Sequence, residues 1–404
     1  MYGSSKDDGD RLRTLDGSGK LKLDRNGLLP FIRGDEETDP VRRRAGDSRA
    51  REMPGLTAMH TLFAREHNRI CDALRRYHPR VTPDWSDEDI FQNARRILVA
   101  VWQKIIYGEF LPVVLGRKGL DYFNGMDLYP WHGSTYRTRV SPTIRNEFTT
   151  SVFRFGHTIT QGLVSQADPA TLREVNQFIL HENIRNLSVY ESRQGMDQIL
   201  AGGFTQPAQF SDPHVTNEMR NLLFNREREP FDVGEDLIAR NIQRGRDHGI
   251  ASYSAFVQNF AGPQLRRSRI LDCWRGRPSN ISPRNWKILR SIYHHPSHID
   301  LFTGSLAETL VPGGMLGPLN TKLLGWQFQF LKFGDRFFFT HKGQFTYREY
   351  REIMQRSLAH VICDNTQILR VPDNVFRLNR GNKLCSSAHS MDISRFDVKR
   401  VPNH

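Results

Sequence analysis

The sequence predicts a mainly α-helical fold, organised as one large domain with few short strands. Residues 56–74 and 90–115 repeat apolar side chains at the three- and four-residue spacing of helices packed on one side. Ser86 stands three residues before Asp89, a capping-box pattern that predicts a helix start just ahead of the second run. Hydrophobic residues make up 38% of the 404 residues, which suffices for a core of this size.

The first half of the chain supplies an arm and two long helices. Residues 1–55 are polar and glycine-rich, so we expect an extended, loop-rich arm. In the helix of residues 56–74, His60 and His67 lie on the apolar face, where we expect packed or hydrogen-bonded histidines. The helix of residues 90–115 is followed by a connection rich in Gly, Tyr and Trp.

A further helix is predicted to open at Ser141, an N-cap residue followed by Pro142 in the first turn. Its apolar residues Ile144, Phe148 and Val152 recur at helical spacing, and it should reach residue 158. Later helical runs and one basic surface excursion are expected as follows: helices at about 168–180, 193–202, 213–226, 235–244 and 346–363, and the excursion at 262–285.

The net charge of the chain is +13, yet its basic residues are scattered rather than aligned on one face. This pattern argues against nucleic-acid binding and leaves open an association with acidic matrix polymers or a bacterial envelope. The sequence has no run of about 18 apolar residues, so no membrane span is predicted. The opening residues, MYGSSKDDGDRLR, contain no apolar stretch of the signal-peptide type.

Four cysteines and two glycosylation sequons bear on the compartment. The cysteines are Cys71, Cys273, Cys363 and Cys385, and the sequence alone permits three pairings of them as well as reduced thiols. The sequons begin at Asn186 and Asn280 and fit a secreted protein, although such triplets also occur by chance.

A lone histidine, His157, lies in the segment SVFRFGHT (residues 151–158), three positions after Arg154. Taken alone, a histidine among apolar residues is more often a packed core residue than a metal ligand. A second segment, ARNIQRGRDHG (residues 239–249), changes this interpretation. Together the two segments resemble those of the animal, cyclooxygenase-like haem peroxidase family.

The resemblance implies a haem b cofactor with His157 as the proximal ligand of its iron. Asn241 would hydrogen-bond the other ring nitrogen, because a ligating imidazole needs a partner that fixes its tautomer and orientation. Arg154 and Arg244 are the expected guanidinium partners of the haem carboxylates.

The segment AGDSRAREMPGLT (residues 45–57) is similar to the AGD-x-R-x-x-E segment of the same family. By this resemblance Arg49 is the distal arginine, which polarises the peroxide O–O bond and stabilises the charge on the departing oxygen. Glu52 matches a glutamate that can form an ester to a haem methyl, and Met53 matches a methionine that one member links to a haem vinyl. Without the resemblance, Glu52 would be a solvated carboxylate at a helix start and Met53 an ordinary core residue.

The resemblance continues to about residue 390. Its matches near the C-terminus are two helices at 301–317 and 320–338 and the triplet Asp364-Asn365-Thr366. It implies a disulfide between Cys363 and Cys385, a haem peroxidase domain over residues 1–392 and a C-terminal tail at 393–404. Extracellular localisation is implied as well.

In the family, the distal histidine, a neighbouring glutamine and an aspartate of a calcium site lie on a helix upstream of the AGD-x-R segment. The rest of the calcium loop precedes a VYGSS stretch, of which this chain begins with YGSS at residues 2–5. We therefore expect a chain that is truncated at its N-terminus and lacks the distal helix and the calcium ligands. Arg49 cannot act as the missing general base because its pKa lies far above neutrality, which puts the activity of this chain in doubt.

Three functions are consistent with these patterns. The first is a secreted haem peroxidase that uses H2O2 to oxidise a halide, thiocyanate or an aromatic donor. The second is a secreted haem-binding or haem-free adhesion or scaffold module without turnover. The third is a dioxygenase of the cyclooxygenase type, which would require a tyrosine-centred motif beyond His157 that the sequence does not display.

Overall fold

The computed structural model of the chain is mainly helical, with about 51% of the described residues in helices of all types. The structure describes residues 1–32, 42–78, 84–121, 123, 126–224, 234–260, 274, 277–378, 381–387 and 390–398. The predicted fold class, mainly α with few short strands, is confirmed.

The α-helices account for most of the regular secondary structure of the described residues. In chain order they are α1 (Lys6–Leu12), α2 (Pro54–Tyr77), α3 (Asp87–Ile105), α4 (Leu111–Leu120), α5 (Asn146–Thr150), α6 (Ser188–Glu191), α7 (Gly195–Thr205), α8 (Asn217–Arg220), α9 (Leu237–Asp247), α10 (Tyr253–Phe260), α11 (Pro283–Ile292), α12 (Leu301–Leu306), α13 (Pro318–Gly334), α14 (Tyr347–Gln355) and α15 (Leu358–Asn365). A π-helical turn, Ile106–Phe110, joins α3 to α4, and short 3-10 helices include Ser48–Arg51 and Val152–His157.

The described strands form three antiparallel pairs. They are β1 (Phe31–Ile32) with β2 (Arg42–Arg43), β3 (Leu163–Ala167) with β4 (Glu174–Ile179), and β5 (Arg370–Pro372) with β6 (Asn382–Leu384). None of these pairs is extended by a third strand within the described residues.

The chain divides into two compact units, each built from separated segments. The first unit comprises residues 1–106, 163–207 and 343–404. It is built around α2, which packs against α3, α7 and α15. The second unit comprises residues 107–162 and 208–342. Within it, α13 packs against α4, and the 3-10 helix that ends at His157 packs against α12 and α13.

The long helix α2 matches its prediction and explains His67. Pro54 occupies the first turn, where its missing N–H costs nothing, and Leu62, Ile70 and Leu74 are fully buried on the inner face. His67 is also fully buried, with Nδ1 2.9 Å from the hydroxyl of Tyr2 and Nε2 3.0 Å from the carbonyl oxygen of Gly19. The expected hydrogen-bonded core histidine is therefore confirmed.

The predicted helix start at Ser86 is also confirmed. Its hydroxyl accepts from the Asp89 N–H, and the Asp89 carboxylate accepts from the Ser86 N–H. The helical stretch Asp87–Arg117 that follows is long and apolar enough, by composition alone, to cross a membrane. This is weak evidence for a span, because half of its most apolar window is buried inside the structure, as in the core helix of a soluble protein.

Several predicted elements differ from the structure. No helix opens at Ser141; α5 begins at Asn146 and is followed by the separate 3-10 helix. The predicted helix at 168–180 is wrong, because the β3–β4 hairpin occupies it. The run at 346–363 is two helices, α14 and α15, separated at Arg356 and Ser357. Most of the expected basic excursion at 262–285 lies outside the described residues.

Candidate functional site

His157 is the last residue of the 3-10 helix Val152–His157 in the second unit. Val152 and Phe155 are buried, which anchors this segment by its apolar side and leaves the imidazole of His157 half-buried. An added Cβ at the preceding residue, Gly156, would meet no atom within 4 Å, so there is open space directly beside the histidine.

Helix α9 carries Asn241, the hydrogen-bond partner of this histidine. The carboxylate of Asp236 caps α9 by accepting from the N–H groups of Ile238 and Ala239, both at 2.9 Å. Asn241 then lies in the second turn, is fully buried, and places Nδ2 2.8 Å from Nδ1 of His157. The two residues that the sequence motifs single out are thus brought together across 84 positions.

Arg154 completes this cluster. Its Nη1 donates to Oδ1 of Asn241 at 2.7 Å, and its Nε donates to the carbonyl oxygen of Thr149 at 2.8 Å. Burial lowers the pKa of Arg154, and the positive charge of Arg244 lowers it further. Arg244 itself is exposed, with its nearest carboxylate, that of Asp247, 3.8 Å from its Nε.

Burial lowers the pKa of His157 to about 4, and the neighbouring Arg154 cation acts in the same direction, against the Asn241 hydrogen bond. The imidazole is therefore neutral at physiological pH. Within the described part of the chain, Nε2 of His157 makes no hydrogen bond. A neutral imidazole with one nitrogen held by a buried amide and the other unengaged has the donor chemistry of an axial metal ligand.

The residues present therefore fit a haem on the proximal side. His157 would hold the iron through Nε2, and the guanidinium groups of Arg154 and Arg244 would hold carboxylates. Within the described residues, no group of three or more His, Cys, Asp or Glu side chains could hold a separate metal ion.

Arg49 lies in the first unit, in the 3-10 helix Ser48–Arg51. Its guanidinium binds the carboxylate of Asp47 through two hydrogen bonds, Nη2 to Oδ2 at 2.7 Å and Nε to Oδ1 at 3.0 Å. These bonds and that from the Arg49 N–H lower the pKa of Asp47 well below its usual range. The Arg49 side chain is 72% exposed, so the structure presents it as a solvent-facing ion pair.

Glu52 and Met53 follow directly, at the junction between this 3-10 helix and α2. The carbonyl oxygen of Glu52 accepts from the N–H of Arg185 at 2.9 Å, which fixes the backbone at the junction. Both side chains are half-buried, and Met53 is the N-cap residue of α2 without a side-chain cap.

The expected disulfide is present between Cys363 and Cys385, with an S–S distance of 2.07 Å. Cys71 is a buried free thiol whose pKa burial raises well above its usual range. The pairing of Cys273 lies outside the described residues.

Sequence reasoning missed two features of the proximal cluster. Arg154 was expected as a partner of the haem carboxylates, and its bond to Asn241 was not predicted. The cap at Asp236 was also missed, although an aspartate directly before the apolar pair Leu237-Ile238 is a sequence signal for it.

Comparison with known proteins gives a consistent result. The family model of the animal haem peroxidase matches residues 1–376. Human (Homo sapiens) eosinophil peroxidase is 36% identical over 371 residues, covering 87% of this chain, and the chain spans 47% of the length of that relative.

Among solved structures, peroxidase A from Dictyostelium discoideum matches with a TM-score of 0.77 at 27% identity. The match covers 93% of this chain and 69% of the length of that structure. The fatty acid alpha-dioxygenase of Oryza sativa matches with a TM-score of 0.72 at 19% identity, over 94% of this chain and 65% of the length of that structure. At this identity the match shows a shared fold alone. The matched length and the identity to the peroxidases establish that this chain belongs to the animal haem peroxidase family.

Proposed function

We propose that this chain is the haem-binding part of a peroxidase and that His157 is the proximal ligand of the haem iron. The observation that carries the proposal is the pairing of His157 with buried Asn241, which holds one ring nitrogen and leaves Nε2 unengaged, while burial keeps the imidazole neutral. Family membership supports a haem cofactor, with hydrogen peroxide and a reducing donor as substrates.

When bound, the haem would supply the two-electron reduction of hydrogen peroxide to water at the expense of an oxidisable donor. The residues of the chain bind and orient it. Asn241 would hold the ring of His157 in one plane, and Arg154 and Arg244 would bind the haem carboxylates as charge-assisted hydrogen-bond donors. Halide, thiocyanate or aromatic compounds are the proposed donors.

Three further roles rest on motif positions. We assign to Arg49 the polarisation of the peroxide O–O bond, for which a fixed cation is the suitable group. Glu52 is the proposed site of an ester to a haem methyl, and Met53 of a bond to a haem vinyl. Their half-buried side chains leave both groups accessible for such bonds.

One observation favours the alternative of a haem-binding or scaffold module without turnover. Arg49 is engaged in a two-point ion pair with Asp47, so it would have to leave that carboxylate to act on peroxide.

Extracellular localisation is proposed for either function, because a disulfide between Cys363 and Cys385 persists best in an oxidising compartment. The charge of +13 supports association with acidic surfaces.

A titration of the purified chain with haem, read by the Soret band, tests the proposal. Saturable binding followed by oxidation of guaiacol with H2O2 would support a peroxidase. Saturable binding without turnover would support the haem-binding module instead. A chain that takes up no haem would overturn both.

A further inference from the structure

A cavity of about 400 Å³ lies in the second unit, between residues 139–145 and Phe330 of α13. Cavities of this size hold small organic molecules in many proteins. This cavity is open to solvent, since Arg139 and Ile144 line it and are both exposed. His157 does not line it, so it is a separate place from the candidate haem site.

Part of the cavity wall is an aromatic surface on α13. Phe330 lines the cavity, and its ring stacks on that of Trp326 one turn earlier, with the centroids 6.2 Å apart and the planes at 19°. Val140 and Ile144 add aliphatic surface to the lining. A planar ring is the group that such a wall accommodates best, because aromatic rings stack favourably with their faces offset.

Two arginines give the same cavity a positive charge. Arg139 makes no hydrogen bond or ion pair within the part of the chain that the structure describes. The guanidinium of Arg145 lies over the Phe330 ring, 4.8 Å from its centroid, which holds it at the wall of the cavity. Its Nη1 is 3.6 Å from Oε1 of Glu147, too far for a hydrogen bond, so the guanidinium keeps its donors for a ligand. Two cations against one carboxylate favour an anion.

The wall that carries the arginines is held in place by α13. Gln327 is fully buried; its Oε1 accepts from the N–H of Arg145 at 2.9 Å, and its Nε2 donates to the carbonyl oxygen of Thr143 at 3.3 Å. A Cβ added at Gly334 would lie 2.8 Å from the carbonyl oxygen of Val140, so the backbone there rests directly on the end of α13. The cavity is therefore formed before a ligand arrives, which lowers the entropic cost of binding.

We propose that this cavity binds a small aromatic carboxylate. The ring would lie against Phe330, and the carboxylate would accept charge-assisted hydrogen bonds from Arg139 and Arg145. The hydroxyl of Thr143 accepts from that of Ser141 at 2.8 Å, which leaves its own proton available for a further polar group on the ligand. The site shares no residue with the proposed haem site and does not rest on the proposed function.

Three matched compounds test the ligand class on the unmodified chain without haem. They are 3-phenylpropionate, 3-phenylpropionamide, which lacks the charge, and propionate, which lacks the ring. Binding is followed through the line widths of the proton NMR signals of each compound. We expect 3-phenylpropionate to bind with a Kd of about 1 mM or below, and each of the others about ten-fold more weakly. Equally tight binding of the amide or of propionate, or no binding of 3-phenylpropionate, would overturn the proposal.

Two variants locate the binding. Arg139→Met removes an exposed, unpaired cation, so the fold should be retained while 3-phenylpropionate binds about ten-fold more weakly. Phe330→Leu should weaken binding about three-fold through the loss of stacking. Arg137→Met is the matched control, because the guanidinium of Arg137 lies 3.9 Å from the ring centroid of Phe333 and does not line the cavity.

The control variant should bind 3-phenylpropionate as the unmodified chain does. Full binding in Arg139→Met, or the same loss in Arg139→Met and Arg137→Met, would overturn the proposal. Haem uptake, read by the Soret band, should be equal in Arg139→Met and in the unmodified chain. A lower uptake in Arg139→Met would contradict the separation of the two sites.

Discussion

Glu66 and Arg356 are 290 positions apart in the sequence, yet Nη2 of Arg356 lies 2.8 Å from Oε1 of Glu66 and neither side chain is exposed. Arg69 donates to both oxygens of the same carboxylate, and Asn365 donates to its Oε2 at 2.8 Å. Burial alone would raise the pKa of Glu66, but the cations of Arg356 and Arg69 lower it to about 2. Helices α2 and α15 of the first unit are thereby joined by a buried, charged network.

Breaking this network should lower the free energy of unfolding. Arg356→Met would leave the buried carboxylate of Glu66 with less positive charge around it, and we expect a loss of about 3–5 kcal/mol in the free energy of unfolding. Urea unfolding followed by tryptophan fluorescence measures it. The matched control is Lys383→Met, which breaks an ion pair whose side chains are 70% and 63% exposed and should cost less than about 1 kcal/mol. Equal losses in the two variants would show that burial does not matter here.

This network also shows what the triplet Asp364-Asn365-Thr366 does in the structure. Asn365 serves the Glu66 carboxylate, and the Asp364 carboxylate lies 2.6 Å from Nη1 of Arg356. Sequence similarity could single out the triplet but not its partners, because Glu66 lies on α2, 299 positions from Asn365, and Arg356 lies in the break between α14 and α15. Only the fold brings these charges together.

A second prediction concerns Glu308, a fully buried carboxyl in the second unit. Burial raises its pKa from 4.5 to about 7, although the Leu319 N–H, the Tyr253 hydroxyl and the Asn280 amide all donate to it. Between pH 4.5 and 7 the folded chain holds a proton that the unfolded chain has released. The contribution of this proton to the free energy of unfolding is therefore complete below pH 4.5. It is lost as pH rises to about 7, a change of about 3 kcal/mol.

Unfolding free energies measured at intervals from pH 4.5 to 8 test this dependence. Glu308→Gln cannot titrate, so the fall in stability over this window should be about 3 kcal/mol smaller in that variant than in the unmodified chain. Two parallel curves would mean that Glu308 is ionised in the folded protein over the whole range.

How far the sequence could predict the structure depended on whether the determinants were local. The helix start at Ser86 was predictable because its partner, Asp89, lies within the same turn. The start expected at Ser141 was wrong: Ser141 accepts from the N–H of Thr143, as an N-cap residue would, but no helix follows before Asn146. Nearby, the Arg145 N–H is bound by Oε1 of Gln327, which is 182 positions away and cannot be read from local sequence.

The same distinction holds for the candidate site. Motif resemblance predicted that Asn241 would meet His157, and the structure places them 2.8 Å apart. It did not predict that Arg154 would bind the same amide, since a family motif names residues for their contacts with a cofactor. The hairpin of β3 and β4 was missed because Glu174 and Asn176, on the same face of β4 as buried Phe178, are polar and exposed, which removes the alternation of buried and exposed residues that indicates a strand.

The third prediction separates the two sequons. Asn186 is exposed, and its Oδ1 accepts only from the Ser188 N–H, so Nδ2 is available to carry a glycan. Nδ2 of Asn280 donates to the buried carboxylate of Glu308 at 2.7 Å, a position that a glycan would disrupt. For chain secreted from eukaryotic cells, removal of N-glycans should shift the electrophoretic mobility. Asn186→Gln should abolish that shift and Asn280→Gln should preserve it; the reverse pattern would contradict the assignment.

The last prediction concerns the iron ligand itself. If His157 is the proximal ligand, His157→Ala should abolish the low-energy ligand-field bands of the haem-loaded chain, because the axial nitrogen is removed. His60 is the matched control, since burial lowers its pKa to about 4 just as for His157, while its position on α2 assigns it to the scaffold. His60→Ala should therefore retain the bands. Added imidazole should restore them in His157→Ala, because a free ligand can occupy the space left by the side chain. Equal loss of the bands in both variants, without rescue, would mean that the iron is held elsewhere.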